Sequence, residues 1–128
     1  MTTPIQEAVF ATLGQFAGLN ASVATRIYPD EAPQQVARPY VVWQEISLVQ
    51  AADLLGSAET GGLNNYRVQV TVWAEKASQV RALDLQVRLA MQAASLFKSL
   101  VADARSLGRD TETKLYGMQS DFSVWLKT

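Results

Sequence analysis

Asn65-Tyr66-Arg67-Val68-Gln69-Val70-Thr71-Val72-Trp73 alternates without a break. Tyr66, Val68, Val70 and Val72 fall on one side; Arg67, Gln69, Thr71 and Trp73 fall on the other. A period of two is that of a strand, and one apolar face beside one mostly polar face is that of a sheet covered on one side. A few residues on, the period changes. From about Ala77 to Phe97, the positions Val80, Leu83, Val87, Ala90, Met91 and Ala94 form the apolar stripe of a long helix. Asp84 and Arg88 on it are spaced as an i,i+4 pair, worth only a few tenths of a kcal/mol at a surface.

Working outward, Tyr40 to Ser47 reads as a second strand, with Tyr40, Val42 and Ile46 pointing one way and Val41, Trp43 and Glu45 the other. Residues 48–64 carry Gly56, Gly61, Gly62 and Asn64 around Leu54 and Leu55. They form either a loop of uncommon length, of the kind that is often functional, or an extended hairpin. Downstream, Ser99 to Leu107 is a weakly alternating strand, Gly108-Arg109-Asp110 a turn, and Leu115 to Leu126 a last strand. Tyr116, Met118, Phe122, Val124 and Leu126 share one of its faces. Upstream, Thr3, Pro4 and Gln6 suit a helix start, and Ile5, Val9, Leu13 and Phe16 give that helix one apolar face. Gly18 ends it, and Asn20 caps a short turn over Ala21 to Ala24. Arg26-Ile27-Tyr28 is a short extended piece stopped by Pro29, and Asp30 to Pro39 is an ordered connection.

The expected fold is therefore α+β: a mainly antiparallel or mixed sheet of about four strands, with the long helix and the N-terminal helix packed on it. The 128 residues are one domain's worth of chain, read as a single unit over 1–128. In Val42-Trp43, Val72-Trp73 and Val124-Trp125 the Val lies on the apolar face and the Trp on the opposite one. Either loops or the N-terminal helix cover that second side, which is the favoured reading, or the face serves subunit contact, where Trp is enriched.

Composition excludes several chemistries. There is no Cys and no His, so thiol nucleophiles, Cys/His zinc sites and Ser-His-Asp triads are ruled out. Eleven Lys and Arg stand against twelve Asp and Glu, which lacks the basic excess of a dedicated nucleic-acid binder. Met1-Thr2-Thr3-Pro4-Ile5 is not a signal peptide, and no apolar run approaches the ~20 residues of a membrane span. No membrane partner is expected, and Asn20-Ala21-Ser22 is then a chance match to a glycosylation site. No phosphate-binding glycine loop occurs. Ser95-Leu96-Phe97-Lys98 matches a Ser/Lys acyl-transfer pattern but lacks its companion motifs. Asp110 and Glu112, with Asp53 and Glu59, offer only turn acids without metal-ligand spacing. Arg81 and Arg88 share a solvated helix face. No catalytic residue, metal or cofactor is expected, and what remains is a binding domain.

Four stretches carry a resemblance. They are Arg26-Ile27-Tyr28-Pro29, Arg38-Pro39-Tyr40-Val41-Val42-Trp43-Gln44, Tyr66-Arg67-Val68-Gln69-Val70-Thr71-Val72-Trp73-Ala74 and Asp121-Phe122-Ser123-Val124-Trp125. In this order, covering nearly the whole chain, the sequence resembles the tail-completion proteins of tailed phages and prophages, similar to tail terminators of long-tailed phages. The resemblance implies a structural virion protein with no enzymatic activity, made in the bacterial host cytoplasm and ending in the virion tail. It implies a ring, usually of six subunits, that caps the completed tail tube, stops polymerisation and offers a head-joining surface while DNA passes through. Its partners would be further copies of itself, the tail-tube protein and a head-tail connector. A closed ring needs two dissimilar patches on each subunit. Asp53, Leu54, Leu55, Glu59 and Asn64 are the candidates for a contact arm, and Trp43, Arg67, Trp73 and Trp125 for subunit packing. The acidic loop residues also suit the wall of a DNA channel. A head-side completion or connector protein, a non-viral interaction or regulatory module, and an enzyme using acidic residues alone, such as Asp110 and Glu112, are the alternatives.

Overall fold

The computed structural model describes residues 4–50 and 63–127. Helix α1 (Ile5–Gly14) starts after Pro4 and buries Ile5, Ala8, Val9 and Leu13, the three-to-four spacing of one helix face. The expected cap, Thr3, lies outside the described residues. Helix α2 (Ala17–Val23) follows after Phe16, whose extended backbone breaks the run. The second helix thus begins before Gly18 and contains Asn20, where the sequence suggested a stop and a cap. The reason is local: the Asn20 amide donates back to the Gly14 carbonyl, so it satisfies the end of α1 from within α2.

The chain then enters a sheet. Strand β1 (Ile27–Pro29) runs parallel to β2 (Tyr40–Gln50), Ile27 opposite Val41 and Pro29 opposite Trp43. Arg26 ties this corner, donating from Nε to the Pro39 carbonyl at 2.8 Å and from Nη2 to the Ser22 carbonyl at 3.1 Å. Strand β3 (Leu63–Ala74) pairs antiparallel with β2 as far as Gln50 opposite Asn64. Residues 48–50 and 63–64 of the 48–64 stretch are therefore strand, and the rest of it lies outside the described residues. Helix α3 (Ala77–Gln92), β4 (Lys98–Arg109) and β5 (Tyr116–Lys127) complete the fold. The strand order is β1-β2-β3-β5-β4, antiparallel throughout except for β1 with β2. The fold is α+β as expected, with five strands rather than four. The extra one is the short Ile27–Pro29 piece, which becomes a strand by borrowing backbone partners from β2.

Three boundaries move for identifiable reasons. Helix α3 stops at Gln92, short of Phe97, because the Ser99 hydroxyl donates to the Met91 carbonyl at 2.9 Å and Phe97 turns into the core. Strand β4 runs through the expected turn glycine: Gly108 sits at φ 71°, a left-handed conformation beside a bulge between Ser106 and Gly108. The turn follows at Asp110, whose carboxylate accepts from the Glu112 amide at 2.8 Å, as expected of an acid that supports a turn.

The helices cover one face of the sheet. Val68, Val70, Val72, Phe122, Val124 and Leu126 pack there against Leu13, Val80, Leu83, Val87 and Met91. Each such side chain contributes roughly 1.5–3 kcal/mol by leaving water. Strand β2 presents the opposite side to the one its sequence suggested. Val41 and Trp43 are buried against the helices, opposite Val72 and Val70, whereas Tyr40 and Val42 lie on the open face. The pairing sets this, since Val41 and Trp43 stand opposite the core-facing Val72 and Val70, and a bulge between Glu45 and Ser47 takes Ile46 out of the alternation, so that Ile46 does not report which way Val42 points.

The α3 pair also differs from a surface pair. Asp84 is 1% exposed and faces the sheet. It accepts from Arg88 Nε at 2.8 Å and from the buried Ser120 hydroxyl of β5 at 2.7 Å. This polar link pins the middle of α3 to the centre of the sheet.

Candidate functional site

Among the described residues, the sheet offers its open face and its two lateral edges for contact. The open face carries Arg67, Gln69, Thr71 and Trp73 of β3, with Gln119, Asp121, Ser123 and Trp125 of β5 beside them. Trp73 and Trp125 are both half-buried and lie at opposite ends, because Trp73 pairs with Gly117 and Trp125 with Asn65. Eight strand steps lead from Asn65 to Trp73, so the backbones of the two tryptophans are about 27 Å apart along the strands at ~3.4 Å per step.

Each end is built differently. At the Trp73 end, a Cβ on Gly117 would lie 2.6 Å from the indole, so glycine is what lets the ring lie flat on the neighbouring strand. There the 30–33 segment, Tyr40, Val42, Leu107 and Gln119 enclose a shallow cleft beside the ring. Tyr40 meets Tyr28 edge-on, ring centroids 6.4 Å apart. Burial pushes the Tyr40 hydroxyl above the usual tyrosine range, with Arg38 opposing and Asp110 adding to the shift. Between the ends, Arg105 reaches across from β4. It donates to the Gln119 side-chain oxygen at 2.7 Å and to Asp103 at 2.6 Å, and lies 3.9 Å from Asp121. The face is thus polar at its centre and aromatic at both ends.

The expected contact residues do not form one patch. Arg67, Trp73 and Trp125 do share the open face. Trp43 does not: it is 4% exposed, inside the helix-covered core, and its Nε1 has no hydrogen-bond partner among the described residues. Asn64 is likewise buried, at the end of β3 opposite Gln50 and Leu126, in the strand rather than in a loop. Asp53, Leu54, Leu55 and Glu59 lie outside the described residues. Among the described residues no cluster of three acidic side chains is placed to hold a metal ion.

Sequence reasoning passed over the edges. Strand β4 closes one side of the sheet and is exposed along nearly its whole length, including Leu100 at 69%. On the other side, β1 covers only Val41–Trp43 of β2, and Ile46 and Leu48 stand exposed beyond it. Leu85 and Leu89 add an exposed apolar pair on α3. The signal was present in the weak alternation of 99–107. A strand with no consistent apolar face is one that neither face of the core claims.

A sheet face that no described element covers, with apolar residues along both sheet edges, has the make-up of a structural, assembling protein. Comparison with known families bears this out. The family described as tail completion protein gp17 matches residues 7–127, nearly the whole chain. The chain belongs to that family and is a structural protein of phage tails. Among solved structures, it is similar to a chain in the virion of a native gene transfer agent particle. That chain is 20% identical, with a TM-score of 0.69 over 97% of this chain and 95% of the other. The likeness shows that the two share a fold. Comparison with curated protein sequences gives no match.

Proposed function

We propose that the protein closes into a ring, six copies being the number the family resemblance implies, on the end of a completed tail tube. The ring halts tube polymerisation and presents its far surface for joining to the head. The single observation that carries this reading is the pairing of family membership with two unlike sheet edges, both apolar and both exposed. A ring needs a heterologous contact, in which one patch meets a different patch on the next subunit. A capping ring must also show the tube one surface and the head another, so that no further tube subunit adds.

In this reading the whole chain acts as one unit. The contact arm is drawn from the chain that joins β2 to β3, with Asp53, Leu54, Leu55 and Glu59 as its candidates by sequence position and Asn64 at the start of β3. Arg67, Trp73 and Trp125 offer the open sheet face to a neighbouring subunit, the tail-tube protein or the head-tail connector. Trp43 supports that face from the core. The protein is made in the host cytoplasm, joins the tail there, and leaves a channel through which DNA passes without sequence-specific contact. It catalyses no reaction and needs no cofactor.

Electron microscopy of lysates from the parent phage or prophage lacking this gene tests the reading. Overlong, head-free tails are the expected result. Tails of normal length beside full, unattached heads would move the role to joining alone, and intact particles would refute both. Replacing Leu54 and Leu55 by Ser should leave the fold intact and abolish capping. Normal tails from that variant would remove the arm from the proposal.

A further inference from the structure

We infer that neighbouring copies join by strand pairing, residues 98–103 of β4 in one copy lying antiparallel to residues 44–49 of β2 in the next, so that one sheet continues around the ring. The inference rests on the ring proposed above and names the surface that closes it.

Three features of the sheet lead there. First, both segments end the sheet. Strand β4 is the last strand on its side. On the other side β1 pairs only with Val41–Trp43, and the Asp30 amide makes the last bond, to the Trp43 carbonyl at 2.8 Å. Past that point no strand among the described residues pairs with the outer edge of β2. Free backbone edges of this kind are templates for another strand.

Second, the two segments are level and run in opposite directions. Strand β2 is antiparallel to β3, β3 to β5, and β5 to β4, so β4 runs opposite to β2. Following the ladders across, Leu100 pairs with Ser123, Ser123 with Arg67, and Arg67 with Ser47. Likewise Val101 leads through Phe122 and Val68 to Glu45. Rotation about an axis along the strands preserves both level and direction. A neighbour related by such a rotation therefore brings its 44–49 segment antiparallel to residues 98–103, with no shift along the strands.

Third, the side chains fit and the obstacle is avoided. Leu100 and Val101 on one edge meet Ile46 and Leu48 on the other, all four exposed in the single chain. The neighbour's β1 occupies the space beside Val41–Trp43, which is the level of Ala104 and the residues after it. Strand β4 bulges between Val101 and Asp103, just before that level. A bulge bends its strand and increases local twist. A bend at this point gives the far half of β4 room to pass the neighbour's β1. The contact is heterologous, so it repeats from copy to copy until the ring closes.

The absence of cysteine in the sequence allows a clean test. Leu100→Cys and Ser47→Cys are introduced together into the full chain. Within one subunit these positions are three strand spacings apart, roughly 14 Å, which is beyond disulfide reach. Oxidised tails carrying the double variant are run on a non-reducing gel, beside the two single variants and a mismatched pair, Leu107→Cys with Ser47→Cys. Negative-stain images of the same tails report the ring independently. The expected result is a ladder of covalent multimers that ends at the ring size, from the matched pair only. Rings in the images without that ladder would overturn the edge pairing and leave the ring standing. Tails with no ring and no ladder would overturn both. Dimers from Leu100→Cys alone would mean that two β4 edges meet each other, and would refute the heterologous contact.

Discussion

Replacing Asp84 by Ala measures how firmly α3 is pinned to the sheet. Read as an exposed i,i+4 pair, Asp84 and Arg88 would be worth about 0.2–0.5 kcal/mol. The structure demands more. Asp84 is 1% exposed and accepts hydrogen bonds from Ser120 at 2.7 Å and Arg88 at 2.8 Å. A hydrogen bond to a charged group contributes about 1.5–3 kcal/mol, and a buried donor left without a partner costs about 1–3 kcal/mol. Arg88 is 35% exposed and can turn to water, so its share falls toward the surface value. Ser120 is 0% exposed and cannot. Relief from desolvating a carboxylate offsets part of the loss, leaving a net cost of about 3 kcal/mol for Asp84→Ala. In a chain of this length that lowers Tm by roughly 10 °C. Urea unfolding followed by tryptophan fluorescence gives the free energy. The double variant with Ser120→Ala should cost at least about 1 kcal/mol less than the sum of the singles, because removing both partners leaves no orphan hydroxyl. A change below about 0.5 kcal/mol for Asp84→Ala, or strict additivity in the cycle, would refute the argument.

Other perturbations probe the sheet. Gly117→Ala places a methyl group 2.6 Å from the Trp73 ring, so it should destabilise by about 1–3 kcal/mol and shift the indole emission; unchanged emission would show that the ring does not rest on Gly117. Trp43→Phe removes a buried N–H that has no partner among the described residues, so its cost should stay below about 2 kcal/mol, well short of the 3–5 kcal/mol typical of Trp→Ala, as read by the same urea titration. Because burial raises the Tyr40 pKa in the folded chain, its contribution is complete below the ordinary tyrosine value of 10.0 and is lost as pH rises from there through the folded value. Tyr40→Phe should therefore lessen the alkaline fall in stability, seen as a flatter plot of Tm against pH above about 10. Leu85→Ser and Leu89→Ser on the outer side of α3 should each cost about 1–1.5 kcal/mol, since each side chain is about half in water; a loss above about 3 kcal/mol for either would place it in the core.

Much of this architecture was legible from periodicity alone. The period of two at 65–73 and the helical stripe at 80–91 are direct imprints of one covered sheet face and the helix that covers it. Tyr116, Met118, Phe122, Val124 and Leu126 fall on that face for the same reason. No Cys or His chemistry was possible, because composition needs no folding to be read. The family resemblance, carried by strand patterns in the right order, also stood in the sequence. Tertiary structure decided what depends on partners distant along the chain. Whether Val42 or Trp43 faces inward was decided by the register with β3, which sets Trp43 opposite Val70, because both sides of that strand are apolar enough to be buried. Asp84 became a buried anchor only when β5 brought Ser120 to it, 36 residues away. The short 27–29 segment became a strand because β2 had a free edge, and β4 became an exposed edge because β5 lies between it and β3. Local pattern tells a residue which face it can occupy. Only the assembled sheet determines which neighbour it meets and which edges are left for another molecule.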